Sequence, residues 1–387
     1  MSNKILQKRN ITNTNKPTHI ESDVGELVVN TLTGRVYTQK SDGTTVELKD
    51  FNDRWRGNWL LPNTSNSVNA TLKDTQLESG FVPRSVVASG GYVFVGTESN
   101  TSTNTGMTIR SYSVDPDTGV YTLQSTWTDS SYGFYDEVLN LQISGDYLLA
   151  KKLDDAILIF TWDDTDGSLN LINSTSIVSS NSPNDDIHGY YVLDDYIYTS
   201  SAQYLKVYSL SASPSLITSY DIGASSTAPW LDGAIWSNGE FVIGLSEFEG
   251  AYIWSFDGST LTYKSNYDVG TDQFQAITGD KNVIFIQDGA AIHSFTIDSS
   301  GTLTEVTDKV HSSGTSPYQT SHLYNTSLHS DGHYLYSGHT AYLRGYASDS
   351  SLYEWLWYNT SITNVYQMSS HGHFLHVACD EGVTIFP

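Results

Sequence analysis

The sequence predicts an all-β protein: a seven-bladed β-propeller closed by an amino-terminal strand and preceded by a small β-hairpin attachment segment. The first observation is a recurrence. Seven short β-rich runs open at Tyr92, Tyr147, Tyr196, Phe241, Val283, Tyr334 and Phe374, from Tyr92-Val93-Phe94-Val95 to Phe374-Leu375-His376. Repeats of about 40–50 residues built only of strand and turn are the signature of propeller blades. The second is the order inside each copy. An alternating strand follows the opening run, as in Ile157-Leu158-Ile159-Phe160 or Tyr252-Ile253-Trp254-Ser255-Phe256, and then comes a polar turn. Asp163 to Gly167, Asp257-Gly258-Ser259 and Asp298 to Gly301 are such turns. Asp supplies side-chain-to-backbone bonds there, and Gly supplies positive φ. Another strand follows, such as Leu261 to Tyr267, and an inner strand such as Val138 to Ile143 precedes the next opening run. Four antiparallel strands make one blade.

The third observation is the unfinished last copy. It reaches Gly382 to Pro387 as its third strand. A blade without an outer strand would present a bare sheet edge. Ala70 to Leu77 reads like the outer strands elsewhere, so it is expected to pair with the carboxy-terminal strand and close the ring.

Composition fits this architecture. Apolar residues make up 38% and aromatics 12%, with 26 Tyr, a residue that buries its ring in short strands and keeps its hydroxyl wet. No apolar run reaches the roughly 18 residues of a membrane span, and Met1 to Asn10 lacks the apolar stretch of a secretory signal. The lone Cys379 has no partner for an internal disulfide and is expected to pack in a strand. Charge divides the chain. Residues 1–56 hold nine Lys/Arg against seven Asp/Glu, whereas 57–387 hold 10 against 36. An acidic propeller repels nucleic acid and anionic membrane, which argues against both as partners. The step marks a boundary between two parts with different jobs, residues 1–56 and the propeller at 57–387.

The attachment segment is strand, turn, strand, turn, strand: Gly25 to Asn30, Arg35 to Lys40, and Thr44 to Leu48. Three such strands bury too little apolar surface to stand alone, so the piece is expected to fold against copies of itself or a host structure. The run from Ile5 to Leu48 resembles the amino-terminal segment of tailed-bacteriophage fibre and virion appendage proteins. Their pattern is a basic "QxKR" opening, a variable linker, "GELAxNxxxGxxYxK", then "DGTVVEL". Gln7, Lys8 and Arg9 fill the opening, and Gly25, Glu26, Leu27, Asn30, Gly34, Tyr37 and Lys40 fill the middle. Asp42, Gly43, Val46, Glu47 and Leu48 complete it, with Val28 where a small residue is commoner. The resemblance implies a virion location, attachment to other virion proteins of tail, baseplate or capsid, and a homotrimer. Trp55-Arg56-Gly57-Asn58-Trp59 is similar to the "W/Y-x-G-x-W" run that follows this segment, and equally suits two Trp rings packing a junction. The propeller resembles the lactonase-like seven-bladed family, whose "YxVDxxTGxLT" is matched at Ser113 to Thr122. That likeness implies fold rather than activity.

Signals for chemistry are sparse. Enzymatic lactonase-like proteins use His, Arg and Glu at the channel, introduced by a His-Pro-His run that is absent here. The sequence also lacks a phosphate-binding Gly-rich loop, a nucleophile elbow and a zinc-type Cys/His set, so no catalytic residue is assigned. Acids do recur after the opening runs: Glu98, Asp154 and Glu247 are the candidate ligands, and Ca²⁺ is the ion that crowded carboxylates favour. Dispersal on solvated loops is the alternative. Tyr132, Phe134, Tyr135, Trp230, Phe274 and Tyr318 lie in inter-blade loops, where rings would stack on sugars of a host cell-surface glycan or fill gaps between blades. The expectation is a structural virion protein that presents a propeller for host recognition or decoration. The rival is a lactonase-like or polysaccharide-degrading enzyme carried on the particle.

Overall fold

The structure is a computed structural model that describes residues 7–10, 27–30, 35–39, 45–47, 70–71 and most of 82–386. Every regular element among the described residues is a β-strand. Two compact units are present, one built mainly from Met1–Ser67 and the other from Val68–Ser370 and Leu375–Phe386.

The larger unit is the seven-bladed propeller, each blade a four-stranded sheet. Blade 1 holds Pro83–Ser89, Tyr92–Thr97, Thr108–Val114 and Tyr121–Thr128; blade 2 holds Val138–Ser144, Tyr147–Lys152, Ala156–Trp162 and Leu169–Val178. Blades 3 to 6 begin with the inner strands Gly189–Leu193, Ile235–Ser237, Ala276–Gly279 and Leu328–Ser330. Blade 7 joins Gln367–His371, Phe374–Cys379 and Gly382–Phe386 to Ala70–Thr71, with Thr384 opposite Thr71 and Ile385 opposite Ala70. The ring is therefore closed by a strand from before the first blade. Residues 72–77, the rest of the expected closing strand, lie outside the described residues.

Local chemistry sets each blade. The turn between first and second strands needs positive φ: Gly90 at 60° and Gly91 at 87° supply it in blade 1, and Asp194 at 52° in blade 3. The turns before the outer strands are tied by aspartate. Asp257 Oδ1 accepts from the backbone N–H of Ser259 and Thr260, and Asp298 Oδ1 from those of Ser300 and Thr302. In six blades the pairing of third and fourth strands shifts register at an aromatic: Tyr112, Phe160, Tyr208, Trp254, Phe295 or Tyr346. A bulge bends and twists its strand, which turns the outer half of the blade. The rings then fill the space between blades, and Phe160, Trp254 and Phe295 are fully buried. Blades approach most closely at glycines. A Cβ on Gly96 would lie 2.5 Å from Val138 Cγ1, and one on Gly338 would lie 2.4 Å from Val365 Cγ1.

The smaller unit contains a four-stranded sheet of β1 (Gln7–Asn10), β2 (Leu27–Asn30), β3 (Arg35–Gln39) and β4 (Thr45–Glu47), in that order. The three strands expected from the sequence are all present. The additional strand is β1, which pairs in parallel with β2, Gln7 opposite Leu27 and Asn10 opposite Asn30.

Candidate functional site

Inner strands leave one backbone edge facing the ring's centre, and neighbouring side chains satisfy part of it. Gln367 of blade 7 accepts from Val86 N–H of blade 1 and Leu141 N–H of blade 2, both at 3.1 Å, and donates to Leu141 C=O at 2.8 Å. Gln142 of blade 2 likewise accepts from Val192 N–H and donates to Tyr190 C=O, each at 2.9 Å, in blade 3. Ser85 Oγ donates to Val138 C=O, and Ser369 Oγ accepts from Ala88 N–H. A side-chain amide carries both N–H donors and a carbonyl acceptor, so it replaces a missing rung of a β-ladder.

One end of the ring is polar where strands meet. The second strands finish in buried Thr97, Lys151-Lys152, Ser200-Ser201, Ser246 and Gln287. The inner strands start there. His188, Gln275 and Tyr366 each donate a backbone N–H to the second strand of their own blade, to Ser200, Gln287 and Ala378 C=O respectively. Arg84 holds the same register position, two residues before Val86, whose partner Val95 matches Thr199 of blade 3 and Ile286 of blade 5. Thus Arg84, His188, Gln275 and Tyr366 occupy equivalent positions in blades 1, 3, 5 and 7.

Arg84 is the centre of a charged cluster. Its Nη2 donates to Glu98 Oε2 at 2.6 Å and its Nε to the same oxygen at 3.0 Å. Glu137 Oε2 lies 3.5 Å from Arg84 Nε, and the guanidinium sits 4.4 Å above the Tyr366 ring. Tyr366 in turn donates to Asp380 Oδ1, and Asn364 Nδ2 reaches Asp380 Oδ2 at 2.6 Å. Glu98 and Glu137 are themselves paired as a β-bridge between blades 1 and 2. The cluster therefore spans blades 7, 1 and 2. Burial opposes the Arg84 charge, but Glu137, Tyr366 and Glu98 outweigh it, so its pKa is raised. Burial pushes the Glu137 carboxyl up, with Arg84 pulling it down and Glu98 adding to the rise. The cluster thus fixes a half-buried arginine between two carboxylates, and Glu137 keeps its proton to higher pH than an ordinary carboxylate.

Of the expected metal ligands, Glu98 is described, and its carboxylate is already engaged by Arg84. Asp154 and Glu247 lie outside the described residues, as do Tyr132, Phe134, Tyr135, Trp230 and Tyr318. Among the described residues no group of three His, Cys, Asp or Glu could hold a metal ion. Phe274 is fully buried, so its ring fills the gap between blades 4 and 5 instead of facing a ligand. It lies 5.6 Å from the His293 ring and 6.5 Å from that of Tyr267, which donates to Glu305 at 2.5 Å. Of the expected attachment residues, Gln7, Lys8, Arg9, Leu27, Asn30 and Tyr37 fall on β1 to β3, whereas Gly25, Glu26, Gly34 and Gly43 lie outside the described residues. The sequence reading missed Arg84, Glu137, Tyr366 and Gln367. Their common signal is a polar residue at the start of an inner strand, ahead of each anchor.

No protein-family profile and no curated protein sequence matches the chain. Solved structures do resemble it. A candidate 6-phosphogluconolactonase from Bacteroides uniformis aligns with a TM-score of 0.54 at 16% identity, covering 93% of this chain and 98% of that one. Another, from Bacteroides fragilis, aligns at 0.53 and 14% identity, covering 84% and 91%. The computationally designed protein Ika8 aligns at 0.52 and 12% identity, covering 79% and 96%. These likenesses are of fold.

Proposed function

We propose that the chain is a structural protein of a bacteriophage particle, a tail fibre or head/tail appendage. Residues 1–56 attach it to other virion proteins, and residues 57–387 present the propeller to a host-surface glycan or protein, or decorate the particle. The observation that carries this reading is the dense resemblance of Gln7 to Leu48 to phage appendage proteins, within a segment of net charge opposite to that of the ring. The separate sheet of β1 to β4 supports it, because a piece this small is suited to fastening. The assembled form is a homotrimer. Recognition of neutral sugars runs through stacking on Tyr132, Phe134, Tyr135, Trp230 and Tyr318; bridging of anionic sugars by Ca²⁺ at Glu98, Asp154 and Glu247 is the alternative route and requires Glu98 to leave Arg84. Mass analysis of purified particles should find this polypeptide at stoichiometric level. Mature particles without it would overturn the reading.

The Arg84, Glu98, Glu137 and Tyr366 cluster supports a second reading, an enzyme acting on a sugar lactone or polysaccharide. Turnover of such a substrate that falls by about 100-fold or more in Arg84→Ala would favour it.

A further inference from the structure

The sheet order β1-β2-β3-β4 makes β1 and β4 its two edges. Edge strands carry unpaired backbone groups and template pairing with another strand. These two edges differ in charge. Residues 1–10 contain Lys4, Lys8 and Arg9 and no acid, and β1 itself holds Lys8 and Arg9. Residues 41–50 contain Asp42, Glu47 and Asp50 against Lys49, and β4 ends on Glu47. The edges also share a direction: β1 is parallel to β2, β2 antiparallel to β3, and β3 antiparallel to β4, so β4 runs the same way as β1.

From this placement we infer that the basic edge of one copy pairs with the acidic edge of a second copy. A rotation about an axis along the strands preserves strand direction. The new junction is then β4 of one copy beside β1 of the next, in parallel, as β1 already lies beside β2. Such head-to-tail contacts use two different patches and close into a ring when the rotation allows. A two-fold pairing of β1 with β1 would instead set Lys8 and Arg9 against their own copies, which like-charge repulsion disfavours. Backbone hydrogen bonds supply the affinity and the charges choose the partner. The inference deepens the proposed attachment role of residues 1–56 and rests on it for its place in a particle.

Sedimentation and light scattering of the purified full chain test it. The native chain should be a multimer at micromolar concentration. Lys8→Glu with Arg9→Glu makes residues 1–10 acidic like the edge at 41–50, and Glu47→Lys makes strand β4 itself basic like β1. Each change alone should weaken association at least tenfold. Mixing the two variants should restore assembly with an even number of copies, because unlike edges must alternate. All three changes in one chain should also restore it, which separates a charge effect from misfolding. A native chain of single-copy mass, variants that keep the native mass, or losses that neither mixing nor the triple change repairs would each overturn the pairing. A self-associating chain that is missing from particles would refute the virion role and leave the pairing standing.

Discussion

Two seams of the ring are built differently. Between blades 4 and 5, Trp236, Ile243, Phe274, Ile277, Ile284 and Phe295 form a buried apolar cluster, and the side-chain hydrogen bonds there, Tyr267 to Glu305 and Ser265 to Gly301 C=O, lie at its outer edge. From blade 7 through blades 1 and 2 there is also an apolar layer, with Val86, Val95, Tyr366 and Val383. Directional bonds are added to it there: Gln367 to Val86 and Leu141, Ser369 to Ala88, and Arg84 to Glu98. Tyr121 of blade 1 meets His376 of blade 7 at 2.5 Å. Blades 4 and 5 follow one another along the chain, so connectivity already sets their relative position. Blades 7 and 1 are distant in sequence, and apolar packing is non-directional. Inner-strand hydrogen bonds also join the successive blades 2 and 3 through Gln142, so at the seam of blades 7 and 1 they add a register that the chain there does not supply.

The apolar seam should respond most to lost volume. Phe295→Ala removes a fully buried ring at a bulge and should destabilise the ring by about 3–5 kcal/mol in denaturant titration. A loss below about 1 kcal/mol would mean the seam is not tightly packed.

The neighbouring seam between blades 6 and 7 should respond to pH. Half-buried His329 of blade 6 accepts from Ser370 N–H of blade 7 at 3.0 Å and lies 2.7 Å from Ser370 Oγ. Burial lowers its pKa from 6.5 to about 4, with Asp331 opposing the fall. The unfolded chain therefore binds the proton first, so this contribution is full above pH 6.5 and is lost as pH falls toward about 4. His329→Gln keeps an acceptor without titrating and should flatten the difference in stability between pH 7 and pH 4. An unchanged slope would count against a half-buried neutral imidazole.

Gln367→Leu keeps the approximate shape but strands two backbone donors, so it should cost about 2–3 kcal/mol. A larger fall than in Phe295→Ala would reverse the contrast between the seams.

Much of the ring was legible because its signals are local. The anchor runs from Tyr92 to Phe374, and the turns at Asp163, Asp257 and Asp298, each need only a few neighbouring residues. Strand β1 was not legible: Gln7-Lys8-Arg9-Asn10 has no apolar alternation, and its pairing with Leu27–Asn30 is a long-range event. The Arg84 cluster was hidden for a related reason. Arg84 and Tyr366 each stand eight residues before their anchors, Tyr92 and Phe374, but the register shift at Val138/Asn140 displaces the start of the inner strand of blade 2, so spacing does not bring Glu137 to Glu98. Glu98 was singled out as a candidate metal ligand, and its arginine partner on the preceding strand could not be read from the recurrence of acids.

Closure by the segment before the first blade is the claim on which the contrast between seams depends. Melting temperatures of a chain beginning at residue 57 and one beginning at residue 80 test it most directly, since only the first keeps Ala70–Thr71 opposite Thr384 and Ile385. The closed ring predicts that the shorter chain melts several degrees lower or aggregates through the bared Gly382–Phe386 edge. Equal melting temperatures, with both chains monodisperse, would contradict it.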